Sequence, residues 1–118
     1  MAKYVDGFVI PVPKKNLKAY KKMAEASAKA WKKCGALQYV ETVADDVKKG
    51  KITSFPRSVK LKGNETVIFS YAVYRSRAHR DSVMKKVMKD KKLMEMWNNM
   101  PFDGMRMIWG GFKAFVTR

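Results

Sequence analysis

The chain has little of three things that usually announce a chemistry. Cys34 is the single cysteine and His79 the single histidine among 118 residues. One thiol cannot close an intrachain disulfide, which fits a reducing compartment, and one thiol with one imidazole cannot assemble a zinc site. Acids are scarce as well, 10 Asp and Glu against 26 Lys and Arg, for a formal net charge of +16. No apolar run approaches the roughly 20 residues that a membrane-spanning helix needs. The opening "MAKYVDGFVI" lacks the apolar segment and cleavage site of a secretory leader and reads as a strand. These absences make a cytoplasmic protein, with no inserted membrane segment and no cofactor, the expectation.

What is present is globular. Hydrophobic residues at 47% and aromatic residues at 12% argue against disorder, and the length fits one domain over residues 1–118. The charge is distributed, with lysines at 14, 15, 18, 21 and 22, at 48, 49 and 51, and at 85, 86 and 89. That is a coat over every exposed segment rather than a stripe. It consists of 20 lysines and 6 arginines, whereas surfaces that read bases favour the planar fork of arginine. Binding to polyanions at low salt is expected from charge alone and carries no specificity.

Periodicity divides the chain into six main elements. Residues 3–10 read as a strand stopped by Pro11 and Pro13. From about 15 to 34 the spacing is helical, with Leu17, Tyr20, Ala24, Ser27, Trp31 and Cys34 on one face and Gly35 as the C-terminal cap. Residues 36–44 and 66–74 read as strands, joined by a long polar connection with room for an edge hairpin. Ser76 caps a helix over about 77–89, Asp90 caps a shorter one carrying Leu93, Met94 and Trp97, and a last strand covers about 105–116. The order is βαββαβ.

The segment "MPFDGMRMIWGGF", Met100 to Phe112, carries one acid and one base in a chain otherwise dense with charge. The third strand, "TVIFSYAVY", is similarly apolar on both sides of its alternation. Two helices cover only one face of a four-stranded sheet, so a second apolar face calls for another cover. The simplest cover is the same face of another copy.

"YVDGFVIPVP" at 4–13, "CGAL" at 34–37, "SRAHRD" at 76–81 and "MPFDGMRMIWGGF" resemble the bacterial YbaA-like family of unknown function across nearly the whole chain. The resemblance implies an α+β, ferredoxin-like βαββαβ sandwich whose sheets close face to face into a dimeric α/β barrel. It implies no established reaction. Related barrels oxygenate a substrate bound between sheet and helices without metal or flavin. The lysine coat departs from the family pattern, including "DKKL" where "DPRL" is more usual and Met105 where lysine is common. That departure raises the alternative of an engineered, positively supercharged or redesigned dimer scaffold.

Four residues are candidates for chemistry: Asp6, Arg106, Glu41 and His79. Asp6 and Arg106 lie in apolar strand contexts, and buried charges need partners, so the two are expected to pair. A dimer-specifying salt bridge is favoured over catalysis for them. His79 with Asp81 could form a base and its orienter, but a first-turn histidine among Arg75, Arg77 and Arg80 is favoured as a solvated residue. Cys34, at a helix C-terminus, reads as an inert thiol. Tyr20, Trp31, Tyr71 and Trp109 are the candidates to line a small-molecule cleft, against a simple core role. The methionines Met84, Met88, Met94, Met96 and Met100 read as core or dimer contacts rather than a groove. Gly110 and Gly111 suggest a bulge, and nothing nearby makes them a phosphate loop. Whether the protein is an enzyme stays open. A further alternative is an RNA-recognition-like binder using Phe8, Phe69 and Tyr71, although the third strand lacks that motif's glycine-aromatic signature.

Overall fold

A computed structural model describes residues 3–118. Strand β1 (Tyr4–Pro13) is followed by a 3-10 turn (Lys14–Asn16) and helix α1 (Leu17–Lys33). Strand β2 (Gln38–Val43), the short helix α2 (Phe55–Ser58) and strand β3 (Glu65–Tyr74) come next. Helices α3 (Arg77–Val87) and α4 (Lys91–Asn98), a 3-10 turn (Gly104–Arg106) and strand β4 (Ile108–Lys113) complete the chain. The strands form one antiparallel sheet in the order β2-β3-β1-β4, which is the ferredoxin-like arrangement.

β1 runs through both prolines instead of stopping before them. Lys14 N donates to the Asn64 carbonyl at 2.8 Å, so the even-numbered residues of β1 donate toward β3 and the odd-numbered ones toward β4. β4 reaches along β1 only to the Val9–Ile108 pair. The nitrogens of Pro11 and Pro13 therefore face a side with no strand to serve, and their missing N–H groups cost no ladder bond. The long connection holds α2, with Ser54 as its cap, in place of a hairpin.

α1 forms as its spacing predicts. Tyr20, Met23, Ala24, Ser27, Ala30 and Trp31 are buried along one stripe, while its lysines face outward. Gly35 ends it at φ 113°, and Ala36 N reaches back to the Trp31 carbonyl at 2.9 Å, a closing bond of the Schellman type. Ser76 Oγ accepts from His79 N and Asp90 Oδ1 from Leu93 N, both at 3.1 Å, so both expected caps form.

Register fixes which side chains meet the helices. Tyr4, Asp6, Phe8 and Ile10 of β1, with Ile68, Ser70, Ala72 and Tyr74 of β3, point toward α1, α3 and α4. Two apolar clusters fill that layer, one around Trp31, Ala72, Tyr74, Val83 and Leu93, the other around Ile10, Val12, Tyr20, Met23 and Ile68. The opposite face carries Val5, Gly7, Val9 and Pro11, Val40 and Thr42, Val67, Phe69, Tyr71 and Val73, and Ile108, Gly110 and Phe112. Among the described residues only one corner of it is covered, by Val59 against Val9 and Val67 and by Phe55 edge-on to Phe69 at 5.9 Å. Phe69, Ile108 and Phe112 remain 42%, 45% and 65% exposed.

Candidate functional site

Between the sheet and the helices lies a cavity of about 310 Å³. It takes its walls from both apolar clusters. β1 and β3 supply the floor through Asp6, Phe8, Ile10 and Ser70, and β2 adds Tyr39 and Glu41. α1 contributes Tyr20, Met23, Ser27 and Trp31, and the segment after α3 closes the rest with Trp97, Phe102 and Met107. All three tryptophans of the chain, Trp31, Trp97 and Trp109, line it. Aromatic contacts organise one wall: Trp31 lies 5.3 Å from Tyr39 and 5.4 Å from Trp97 between ring centroids.

Two polar networks face this apolar space. In the first, Glu41 accepts hydrogen bonds from the Tyr20 hydroxyl at 2.8 Å and the Tyr39 hydroxyl at 2.7 Å. Tyr39 and Glu41 share a face because they are two apart on β2. Burial pushes the Glu41 carboxyl above the usual carboxylate range, and the two phenol hydrogen bonds draw it partly back. Burial first, and the neighbouring Glu41 charge second, push the phenols of Tyr20 and Tyr39 well up, so both remain protonated donors.

The second network starts at the Trp31 indole, which donates to the Tyr74 hydroxyl at 2.9 Å. Tyr74 donates to Asp6 Oδ2 at 3.0 Å, and Arg80 Nη1 donates to Asp6 Oδ1 at 3.0 Å. Arg80 also lies over the Tyr4 ring at 5.1 Å and meets Asp81 at 2.9 Å. Asp6 is 1% exposed. Burial raises its pKa, against the lowering effect of the Tyr74 hydrogen bond and the Arg80 charge.

Asp6 thus has an arginine partner, but Arg80 rather than Arg106. The register sets Asp6 opposite Gly111, five residues along the chain from Arg106. Arg106 lies outside β4, in the 3-10 turn, where it clamps Glu65 with two hydrogen bonds at 2.8 and 2.6 Å and meets Asp103 at 2.9 Å. That clamp, chiefly the Arg106 hydrogen bond, holds the Glu65 carboxyl below its ordinary range. Arg106 braces the start of β3 and does not line the cleft. His79 is spent locally: its Nδ1 accepts from Arg75 N at 3.0 Å and its ring stands edge-on to Tyr74. Tyr71, paired with Gly7 and Val40, points to the face away from the helices. Phe8 points the other way, into the cleft, where it stacks with Trp109 at 6.2 Å.

Of the residues singled out from sequence, Asp6, Glu41, Tyr20, Trp31 and Trp109 come together at the cleft, while Arg106, His79 and Tyr71 do not. Met84, Met88 and Met100 also line it, so these methionines serve as cleft wall as well as packing. Sequence reasoning missed Tyr39, Trp97 and Arg80. The signal for Tyr39 was its two-residue spacing from Glu41. Trp97 and Arg80 had no comparable signal, because each meets a partner about 70 residues away, at Ser27 and Asp6.

Residues 3–104 match the model of a family described as protein of unknown function (DUF1428). The chain belongs to this family. It is 46% identical over 114 residues to the uncharacterized protein YbaA of Escherichia coli K12, covering 97% of each chain, and equally so to that of Shigella flexneri. Among solved structures it resembles a dimeric ferredoxin-like protein from an uncultured marine organism, with a TM-score of 0.54 at 12% identity over 100% of this chain and 98% of that one. That likeness supports the ferredoxin-like fold. No specific activity is established for the family. Among the described residues, no helix is long and apolar enough to cross a membrane.

Proposed function

We propose that this protein is a homodimeric α/β barrel, working in the cytoplasm as a single domain, that binds a small and largely apolar molecule in the cleft between sheet and helices. The observation that carries the reading is the cleft itself. It is a cavity of about 310 Å³ with aromatic and methionine walls and a few convergent polar groups, among them Glu41 with its two tyrosine donors. Pockets of that make-up are the usual places for small ligands. Because all three tryptophans line the cavity, the indole N–H signals of the uniformly labelled protein form a three-line report on its occupancy. A fragment screen in which apolar compounds move these signals supports the reading; one that leaves them in place across a broad set refutes it.

The dimer is supported by the face opposite the helices: among its described strand residues the one that charges is Glu65 at the start of β3, buried and paired with Arg106, although every lysine among the described residues is exposed. Two chains of charge +16 can approach closely only where the charge is absent. A contiguous apolar face of this extent is unusual on a monomer. A second copy presenting Val5, Phe69, Tyr71, Ile108 and Phe112 would bury it and close the barrel. Light scattering after size exclusion at about 0.5 M salt, where the Debye length falls to a few ångströms, distinguishes dimer from monomer. The RNA-recognition alternative is weakened on its own terms, since that face has Val5, Gly7 and Val9 on β1 and no aromatic there. Binding to polyanions follows from the exposed lysines and should fade steeply with salt without sequence preference.

A further inference from the structure

The poorly exposed acids of this protein differ in one respect. Asp6 meets Arg80 at 3.0 Å, and Glu65 meets Arg106 at 2.6 Å. Glu41, half-buried in the cleft wall, meets no cation among the described residues, and its partners are neutral hydroxyls, those of Tyr20 and Tyr39 with that of Ser70 beside them. This is so in a chain with 26 basic residues against 10 acidic ones. The fold therefore keeps lysine and arginine away from one carboxyl that it draws into an apolar space. A carboxylate withdrawn from water without a positive partner is costly, and a ligand can supply what the chain withholds.

We infer that the cleft takes a protonated amine with an apolar body. The ammonium would donate to the Glu41 carboxylate, whose hydroxyl partners leave acceptor capacity free for it. Tyr39, Trp31 and Trp97 line the same cleft with neighbouring ring centroids 5.3 and 5.4 Å apart, and aromatic rings of this kind attract a cation. Met23, Met84 and Phe8 would cover the hydrocarbon part. An anionic ligand would set a second negative charge against Glu41, and a neutral one would leave the carboxylate without its counter-charge. This inference rests on the reading that the cleft binds a small molecule, and it adds the sign of the ligand's charge.

The test uses three compounds of one skeleton: 4-phenylbutylamine, 4-phenylbutan-1-ol and 4-phenylbutanoic acid. Their dissociation constants are measured by indole N–H titration at pH 8 in about 0.3 M salt, which screens the repulsion of the lysine coat from an incoming cation. The expected result is an amine at least tenfold tighter than the alcohol, with the acid weakest. In Glu41→Gln the amine should lose that preference while the alcohol keeps its affinity. Equal binding of amine and alcohol, or a preference for the acid, overturns the inference while leaving the cleft a ligand site. If none of the three moves the indole signals, the inference falls together with the cleft reading. The comparison within the wild-type protein stands even if the Gln variant folds poorly.

Discussion

Replacing Arg80 by Met removes the one cation that meets Asp6 among the described residues and leaves the carboxyl, among them, with only the Tyr74 hydroxyl. Asp6 is 1% exposed, so water cannot take the place of the lost partner. Breaking a buried pair from one side costs about 3–5 kcal/mol, because the remaining charge stays desolvated. At an unfolding entropy of about 2.1 cal/mol/K per residue, 118 residues give about 0.25 kcal/mol/K, so the midpoint should fall by about 12–20 °C. The pH dependence supplies the sharper check. Asp6 already has its carboxyl raised above the ordinary 3.8 by burial, and loss of Arg80 raises it further. An acid with a raised folded pKa holds its proton more tightly when folded, so the variant's deficit is largest above that raised value. It should grow as the pH rises toward that raised value and shrink as the pH falls toward 4. Asp6→Asn combined with Arg80→Met removes the stranded charge, keeps an acceptor for Tyr74, and should recover about half of the loss or more. Urea denaturation followed by tryptophan fluorescence, at several pH values for each variant, measures all of this. A single-variant cost below about 1 kcal/mol at neutral pH, or a deficit that does not change with pH, would refute the assignment of Arg80 as the charge partner of Asp6.

Phe112→Lys places a charge on the exposed apolar sheet face; its mass by light scattering should fall to that of a monomer with the circular dichroism unchanged, and a persistent dimer would mean that the copies meet elsewhere. Gly111→Ala should strongly destabilise the fold, since a Cβ there would fall on the Tyr4 ring and hydroxyl, whereas Gly63→Ala, where nothing lies within 4 Å, should leave the melting temperature unchanged. Ser76→Ala and Asp90→Ala each remove a capping acceptor and should each cost about 1 kcal/mol in urea denaturation; no loss in either would show that the cap bond is exchanged for water without penalty.

Local pattern determined much of this protein. The run from Leu17 to Trp31 repeats at helical spacing, Ser76 and Asp90 stand where helices begin, and "TVIFSYAVY" is apolar on both sides of its alternation. Each of these is a property of neighbours in the chain, and each is legible because helix and strand periods are local. The βαββαβ order and an apolar face opposite the helices follow from them, while the ferredoxin-like fold was implied by the family resemblance. What only the tertiary structure decided was pairing across distance. Asp6 was expected beside Arg106, but the β1–β4 register and the late start of β4 at Ile108 set those two far apart and left Asp6 to Arg80 on α3. Tyr71 and Phe8 both read as apolar strand residues, and one residue of register sends them to opposite faces. The prolines at 11 and 13 read as a stop, and they are tolerated because β4 ends before reaching them. Glu41 was visible as an acid in a strand. Its lack of a cation among the described residues was not, because that depends on where every lysine and arginine finally lies.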